Sequence, residues 1–439
     1  MGKKKKLWLI PLIASGVVII AIAAIPLSIM FQIKSNQKEL KKSFSLREIN
    51  QIKEESFYPL NEVKHPSTEL KTITLDENYK NSILDFTHLF TSTMDDFSYS
   101  PLNLYFTYDT LSWGSDDVAL SNKWNSVLGL TREERNKGLK QLYPSDFYLN
   151  ENGSLQLYQG LFAKKGKTVN NSLLTTLTER YCEAYSVDFS SDEGIKKMLN
   201  WIDEKLDEKG FLSKKELDIK QETAAYLFNT LYFRSKWSTK YNKANTKKES
   251  FYSTDGEQKS IPFMKHKIYT DIYEYEGYYS FYDYYKNGEK IQYLISKDDN
   301  INIDKVLKGN NFYKETKDKK TGIVDLSMPK FTDESMTDFI PPLKQVGLKD
   351  VLDSTKPSLN NFFSNLYEGE NIYLMTSKQK NKVTFDEDGT IVKSLGMQTY
   401  GNAKTEPMDY YRFTLNHPFI YTIYDRNGLP IYTSKVNKI

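Results

Sequence analysis

Leu7 to Phe31 carries no charged residue and follows directly on Lys3-Lys4-Lys5-Lys6. About 20 apolar residues at roughly 1.5 Å each cross a hydrocarbon core of about 30 Å, so this stretch predicts a membrane-spanning helix. Pro11 and Pro26 lie near its ends, where such a helix tolerates them best. From Gln32 to Asp76 the chain turns polar, rich in Lys, Glu and Ser, with Pro59 and Pro66 and no sustained apolar period. That composition predicts a solvated stalk.

From residue 77 the apolar positions become dense. Ile83, Phe86, Leu89 and Phe90 repeat at helical spacing and predict a helix with one buried face. Tyr226 to Phe233 is almost continuously apolar, aromatic and β-branched, which predicts a strand covered on both faces. Val324 to Met328 alternates as a half-buried strand does, and Leu343, Val346, Leu348, Val351 and Leu352 return to helical spacing. Near the end, Phe419–Tyr424 and Leu429–Thr433 flank Asn427-Gly428, whose residue types supply the positive φ of a tight hairpin. Helices dominate the first part and strands the last, with no regular alternation and no linker. Residues 77–439 therefore predict one α+β domain.

Charge sharpens the topology. The chain has 60 Lys+Arg against 57 Asp+Glu, a net charge of +3. Four lysines of that excess precede the apolar stretch, so the body is nearly balanced and gives no footprint for nucleic acid. Lysines at the amino-terminal flank stay cytoplasmic, which sets residues 1–31 as a signal anchor and the body outside the cell. Cleavage near Ala21-Ile22-Ala23-Ala24, giving a secreted protein, is the alternative.

The search for chemistry excludes more than it finds. Cys182 is the single cysteine, so no intramolecular disulfide or cysteine-based zinc site exists. His65, His88, His266 and His417 are scattered without ligand spacing. No nucleophile elbow, phosphate-binding loop or dinucleotide fingerprint occurs. These absences point away from an enzyme; neither metal nor cofactor is expected. The Tyr-rich run from Tyr269 to Tyr285 predicts half-exposed strands and a hairpin ending near Lys286-Asn287-Gly288.

Several segments, in order, resemble the serpin (serine protease inhibitor) family. Phe97-Ser98-Tyr99-Ser100-Pro101-Leu102 is similar to its early F-I-S-P-L segment, and Asn200-Trp201-Ile202 to I-N-x-W-V. Asn229 to Trp237 (NTLYFRSKW) is similar to N-A-I-Y-F-K-G-K-W, and Leu326 to Phe331 to L-x-L-P-K-F. Val383 to Thr390 (VTFDEDGT) resembles the hinge motif V-x-x-N-E-E-G-T, and Asn416-His417-Pro418-Phe419 resembles D-H-P-F.

The resemblance implies three sheets with about nine helices and an exposed reactive-centre loop. Together with the anchor read from residues 7–31, it implies a monomeric, membrane-held inhibitor of an extracellular trypsin-like or chymotrypsin-like serine protease. The protease cuts the loop, forms an acyl-enzyme, and is trapped as the loop enters the central sheet as a new strand. About fourteen inserted residues at roughly 3.3 Å each span about 45 Å. Glu387, Asp388, Gly389 and Thr390 form the hinge. Val392, Ser394 and Gly396 continue one face of the loop, and Lys393 falls on the other. Counting from Thr390 gives the bond Ala403–Lys404, so Lys404, Ala403 and Tyr400 are the candidate reactive-site residues. Trp237 packs where insertion begins, and Ser100, Asn229 and Gln379 lie beneath the opening sheet, where Asn103 replaces a common small hydroxyl. The run Ile391 to Gly396 departs from the family's alanine-rich hinge, which leaves a non-inhibitory surface binding protein as the alternative.

Overall fold

The computed structural model describes residues 55–297, 312–314, 319–390 and 409–439. Pro59–Ile439 is one compact unit, and Met1–Tyr58 is grouped apart from it. The expected anchor and the first part of the stalk lie outside the described residues. Among the described residues, no helix is long and apolar enough to cross a membrane. The stalk was expected to run to Asp76, but the packed body begins earlier. Leu60 N donates to Ala184 O (2.7 Å), Asn61 bonds both Cys182 O and Ala184 N, and Leu60 and Ile73 pack on the core.

The described chain runs β1 (Phe57–Pro59), α1 (Glu77–Thr91), β2 (Ser98–Tyr99), α2 (Pro101–Ser112), α3 (Val118–Leu128), α4 (Arg132–Ser145), β3 (Tyr148–Asn150) and β4 (Gly153–Lys164). It continues through α5 (Asn171–Glu179), β5 (Cys182–Val187), α6 (Asp192–Leu206), α7 (Lys214–Leu217), β6 (Ala225–Lys236), β7 (Lys247–Tyr252), β8 (Gln258–Tyr275), β9 (Tyr278–Tyr284) and β10 (Lys290–Ser296). It ends with β11 (Lys319–Pro329), β12 (Thr332–Asp338), α8 (Ile340–Gln345), β13 (Lys378–Asp386), β14 (Gly389–Thr390), β15 (Asp409–Thr414), β16 (Phe419–Tyr424) and β17 (Pro430–Val436).

The helices start where their caps dictate. Asp76 accepts from Asn78 N and Tyr79 N at the head of α1, whose Ile83, Phe86 and Phe90 are buried as the spacing predicts. Ser100 caps α2 ahead of Pro101, and Thr131 with Glu134 forms a capping box on α4. The helical spacing from Leu343 to Leu352 is not one helix. Gly347 at φ +91° ends α8, and only a short 3₁₀ turn follows.

Among the described residues the strands make two hydrogen-bonded sheets. The first runs β5-β4-β6-β14-β13-β12, and the second β15-β11-β8-β9-β10-β16-β17-β2. Among the described residues the three expected sheets join into two because β8 is shared, pairing with β7 from Gln258 to Phe263, with β11 from Phe263 to Tyr273 and with β9 from Ile272 to Tyr275. The hairpin of β16 and β17 forms as read, with Gly428 at φ +79° and Asp425 Oδ1 accepting from Leu429 N (2.6 Å); Asn427 needs no positive φ. Cys182 is a core residue, its thiol pushed up to about 12 by burial.

A buried ion cluster locks the helical layer. Asp109 on α2 accepts from Arg135 Nε (2.7 Å) on α4 and from Arg180 at the end of α5, and all three side chains have 0% exposure. Burial opposes ionisation of Asp109, but the two arginines outweigh it and hold its pKa below the ordinary value.

Candidate functional site

β6 forms as a strand, but most of its side chains are half-buried rather than covered on both faces, and its two edges differ. One edge pairs with β4 from Ala225 to Ser235, while the other meets only β14, at Ser235 and Lys236. β13 is its counterpart, pairing with β12 from Lys378 to Thr384 and with β14 only at Phe385 and Asp386. Below β14, among the described residues, a cavity of about 850 Å³ lies between the two strands, lined by Leu227, Asn229 and Leu231 on one side and Gln379 and Lys380 on the other. Most β6 side chains are accordingly half-buried. Their apolar character serves this slot.

β14 is the wedge at the top. It pairs antiparallel with both neighbours, Thr390 opposite Ser235 and Phe385, and Gly389 opposite Lys236 and Asp386. Gly389 has φ +154°, and a Cβ there would lie 2.3 Å from Ser235 O, so only glycine fits. Thr390 is 3% exposed, and its hydroxyl meets the Tyr285 hydroxyl (2.8 Å). Trp237 is buried beside it, stacked on Tyr285 with its Nε1 donating to Asp386 O (2.8 Å).

Charge pins the hinge from outside. Glu387 accepts from Lys330 Nζ (2.8 Å) and Thr246 Oγ1 (2.8 Å). Burial opposes its ionisation, but those bonds prevail and hold its pKa below the ordinary carboxylate range. Lys240 and Lys243 bracket Asp388 and lower its pKa. Sequence reading named Glu387 and Asp388 but not the lysines or Tyr285, because the contacts cross between distant stretches of chain.

The floor of the slot is tied to α2. Ser100 N donates to Gln379 Oε1 (2.5 Å), and Gln379 Nε2 donates back to Ser100 O (3.2 Å). On the opposite flank, Asn103 Nδ2 donates to Asn229 O (3.1 Å), and Asn229 Nδ2 donates to Thr107 Oγ1 (2.8 Å). One helix therefore grips both strands, and Asn103 supplies a bond of its own where a small hydroxyl was expected. Asn229 Oδ1 is buried with no partner among the described residues, a cost the fold carries at this position. Val392, Ser394, Gly396, Tyr400, Ala403 and Lys404 lie outside the described residues.

Glu289 sits beneath the hinge with 0% exposure, accepting from Ser235 Oγ (3.1 Å) and from Tyr148. Burial raises its pKa to about 7. The folded state therefore holds this proton after the unfolded chain has released it, so stability falls as pH rises from about 4.5 to 7. Wild type is expected to lose about 3 kcal/mol across that window through this group. Glu289→Gln should remove that part of the slope, read from urea midpoints at pH 5 and pH 7.5. Asp146, raised by burial and by its neighbour Asp425, and Asp425, raised by burial, titrate in the same direction and remain in both proteins.

Comparison with known proteins agrees with this architecture. Residues 84–439 match the family described as Serpin (serine protease inhibitor). Human glia-derived nexin is 25% identical over 228 residues, covering 49% of this chain and 55% of that protein. Plasminogen activator inhibitor 1 of Neovison vison is 26% identical over 265 residues, covering 57% and 63%. These matches span between half and two thirds of the relatives' lengths. The thermophilic serpin tengpin in its native state superimposes with a TM-score of 0.74 at 22% identity, covering 88% of this chain and 100% of its own. With the family match running from the first buried helix to the carboxyl terminus, the chain belongs to the serpin family.

Proposed function

We propose that this protein is a membrane-anchored, extracellular inhibitor of serine proteases that works by loop cleavage, acyl-enzyme trapping and strand insertion. The observation that carries this reading is β14, two residues of strand already paired between β6 and β13 at the head of a slot. Continuing the register would set residue 392 opposite Phe233, 394 opposite Leu231 and 396 opposite Asn229, on the buried side shared by Thr390 and Ser235. Val392, Ser394 and Gly396 are uncharged, and Lys393 would face outward. Burying uncharged side chains on that face is what insertion requires.

The target bond is Ala403–Lys404 or its neighbour after Lys404, with Tyr400 the site for a chymotrypsin-like protease. Residues 1–31 anchor the chain, the stretch from residue 32 up to the packed body at Pro59 spaces that body from the bilayer, and the inhibitor acts as a monomer. The test incubates residues 59–439 with trypsin, chymotrypsin, elastase and subtilisin and resolves the products on SDS gels. A covalent complex at the summed mass is expected. Clean loop cleavage with every protease left active would overturn the inhibitory reading in favour of the non-inhibitory binding protein.

A further inference from the structure

Lys290, the first residue of β10, keeps its amine against aromatic rings instead of in water. It is half-buried, with Nζ 3.8 Å from the centre of the Tyr282 ring on β9 and 5.4 Å from that of Tyr424 on β16. Both tyrosines are buried, and Lys290 pairs across the sheet with Tyr284 on one side and Tyr424 on the other. The ring faces attract an ammonium and hold the side chain folded inward. Among the described residues Lys290 makes no salt bridge. Asp271 on β8, the acid that acts on it, is engaged by Lys319 Nζ (2.8 Å) and Thr321 Oγ1 (3.0 Å). The second cation here is Lys80 on α1, also half-buried and without a salt bridge among the described residues. Its Nζ lies by the β16–β17 turn, 3.6 Å from where a Cβ on Gly428 would stand. Burial and then the like charge of Lys80 oppose protonation of Lys290, Asp271 favours it, and the amine is pushed down to about 8. Near pH 7.4 about one amine in five is then neutral, against about one in a thousand for an ordinary lysine.

We propose that Lys290 is a covalent modification site for a small aldehyde that carries a negative charge, with Lys80 as the partner of that charge. A lysine kept from water and set beside a second amine is the arrangement that favours attack on a carbonyl. The neutral amine adds to the aldehyde carbon and a C–N bond forms. The carbonyl oxygen then leaves as water with the two amine hydrogens, giving an imine with no change of oxidation state. Lys80, lacking a carboxylate partner, supplies the cation that an anionic group on the aldehyde meets. The buried rings of Tyr282 and Tyr424 wall the amine and keep bulk water from it. The proposal does not depend on the inhibitory reading.

The test incubates the full-length protein with pyridoxal 5′-phosphate as the probe, reduces the imine with borohydride and maps the adduct by peptide mass spectrometry. Lys290 should carry at least about tenfold more label than Lys243 or Lys320, whose amines are held protonated by Asp388 and Glu274. Its labelling should rise with pH through a midpoint of about 8. Lys290→Arg keeps the charge, removes the nucleophile and should lose the saturable imine absorbance. Lys80→Met should lower labelling by pyridoxal 5′-phosphate about tenfold relative to labelling by pyridoxal, which lacks the phosphate. Wild-type label spread evenly over surface lysines, or a midpoint for Lys290 above about pH 10, overturns the proposal whatever the variants do. A ratio between the two probes that Lys80→Met leaves unchanged overturns the role of Lys80, and with it the preference for an anionic aldehyde.

Discussion

On the proposed inhibitory mechanism, Thr390→Arg is expected to turn the protein from an inhibitor into a substrate: proteases that wild type would trap will cut the loop and leave active. Thr390 is 3% exposed, packed between Ser235 and Phe385 and bonded to Tyr285. The first inserted side chain must pass this point, and none of these three neighbours is a carboxylate; Glu289, one contact further on through Ser235, is held toward its neutral form by burial. An unpaired buried charge costs about 3–5 kcal/mol, enough to slow insertion by more than about a hundredfold. Hydrolysis of the acyl-enzyme then precedes trapping. Covalent complex on SDS gels should fall from the main product to a trace, while Thr390→Val, similar in volume and uncharged, should retain it. Equal complex yields for the arginine variant and wild type would remove the hinge from the mechanism.

The largest loss of stability is expected from Asp109→Asn. The amide cannot neutralise Arg135 and Arg180, both at 0% exposure, and leaves two guanidiniums without a counter-charge. Breaking a buried pair from one side costs about 3–5 kcal/mol. The urea midpoint should drop accordingly, whereas Glu179→Gln, which removes an exposed pair with Lys140, should shift stability by less than about 1 kcal/mol. The effect reaches the slot, because α2 carries both Asp109 and the groups that hold β6 and β13, namely Ser100, Asn103 and Thr107.

Much of this was readable before the structure. The α1 face and the β16–β17 hairpin follow from local spacing and residue type, which act over a few residues, and the hinge glycine from the resemblance of Val383–Thr390 to a family motif. The slot did not follow from spacing. Tyr226–Phe233 has the composition of a strand buried on both sides, and composition does not say whether a neighbouring strand is paired along its whole length. The partners of the hinge were hidden for a related reason. Thr390 meets Tyr285 across 105 positions, and Arg180 meets Asp109 across 71, distances over which no periodicity carries information. Gly347 shows the opposite failure: a helical apolar pattern persisted through a residue whose positive φ ends the helix.

The central claim is that the first sheet is built to accept the loop as a further strand. Its most direct test is the thermal unfolding midpoint of the intact protein compared with the same protein nicked once within residues 391–408. Strand insertion pairs the open edges of β6 and β13 and fills the slot, so the nicked form should unfold tens of degrees higher, if it unfolds at all below 100 °C, by roughly 4 °C or more for each kcal/mol gained in a small domain and less in one of this size. An unchanged or lower midpoint after cleavage would contradict the account.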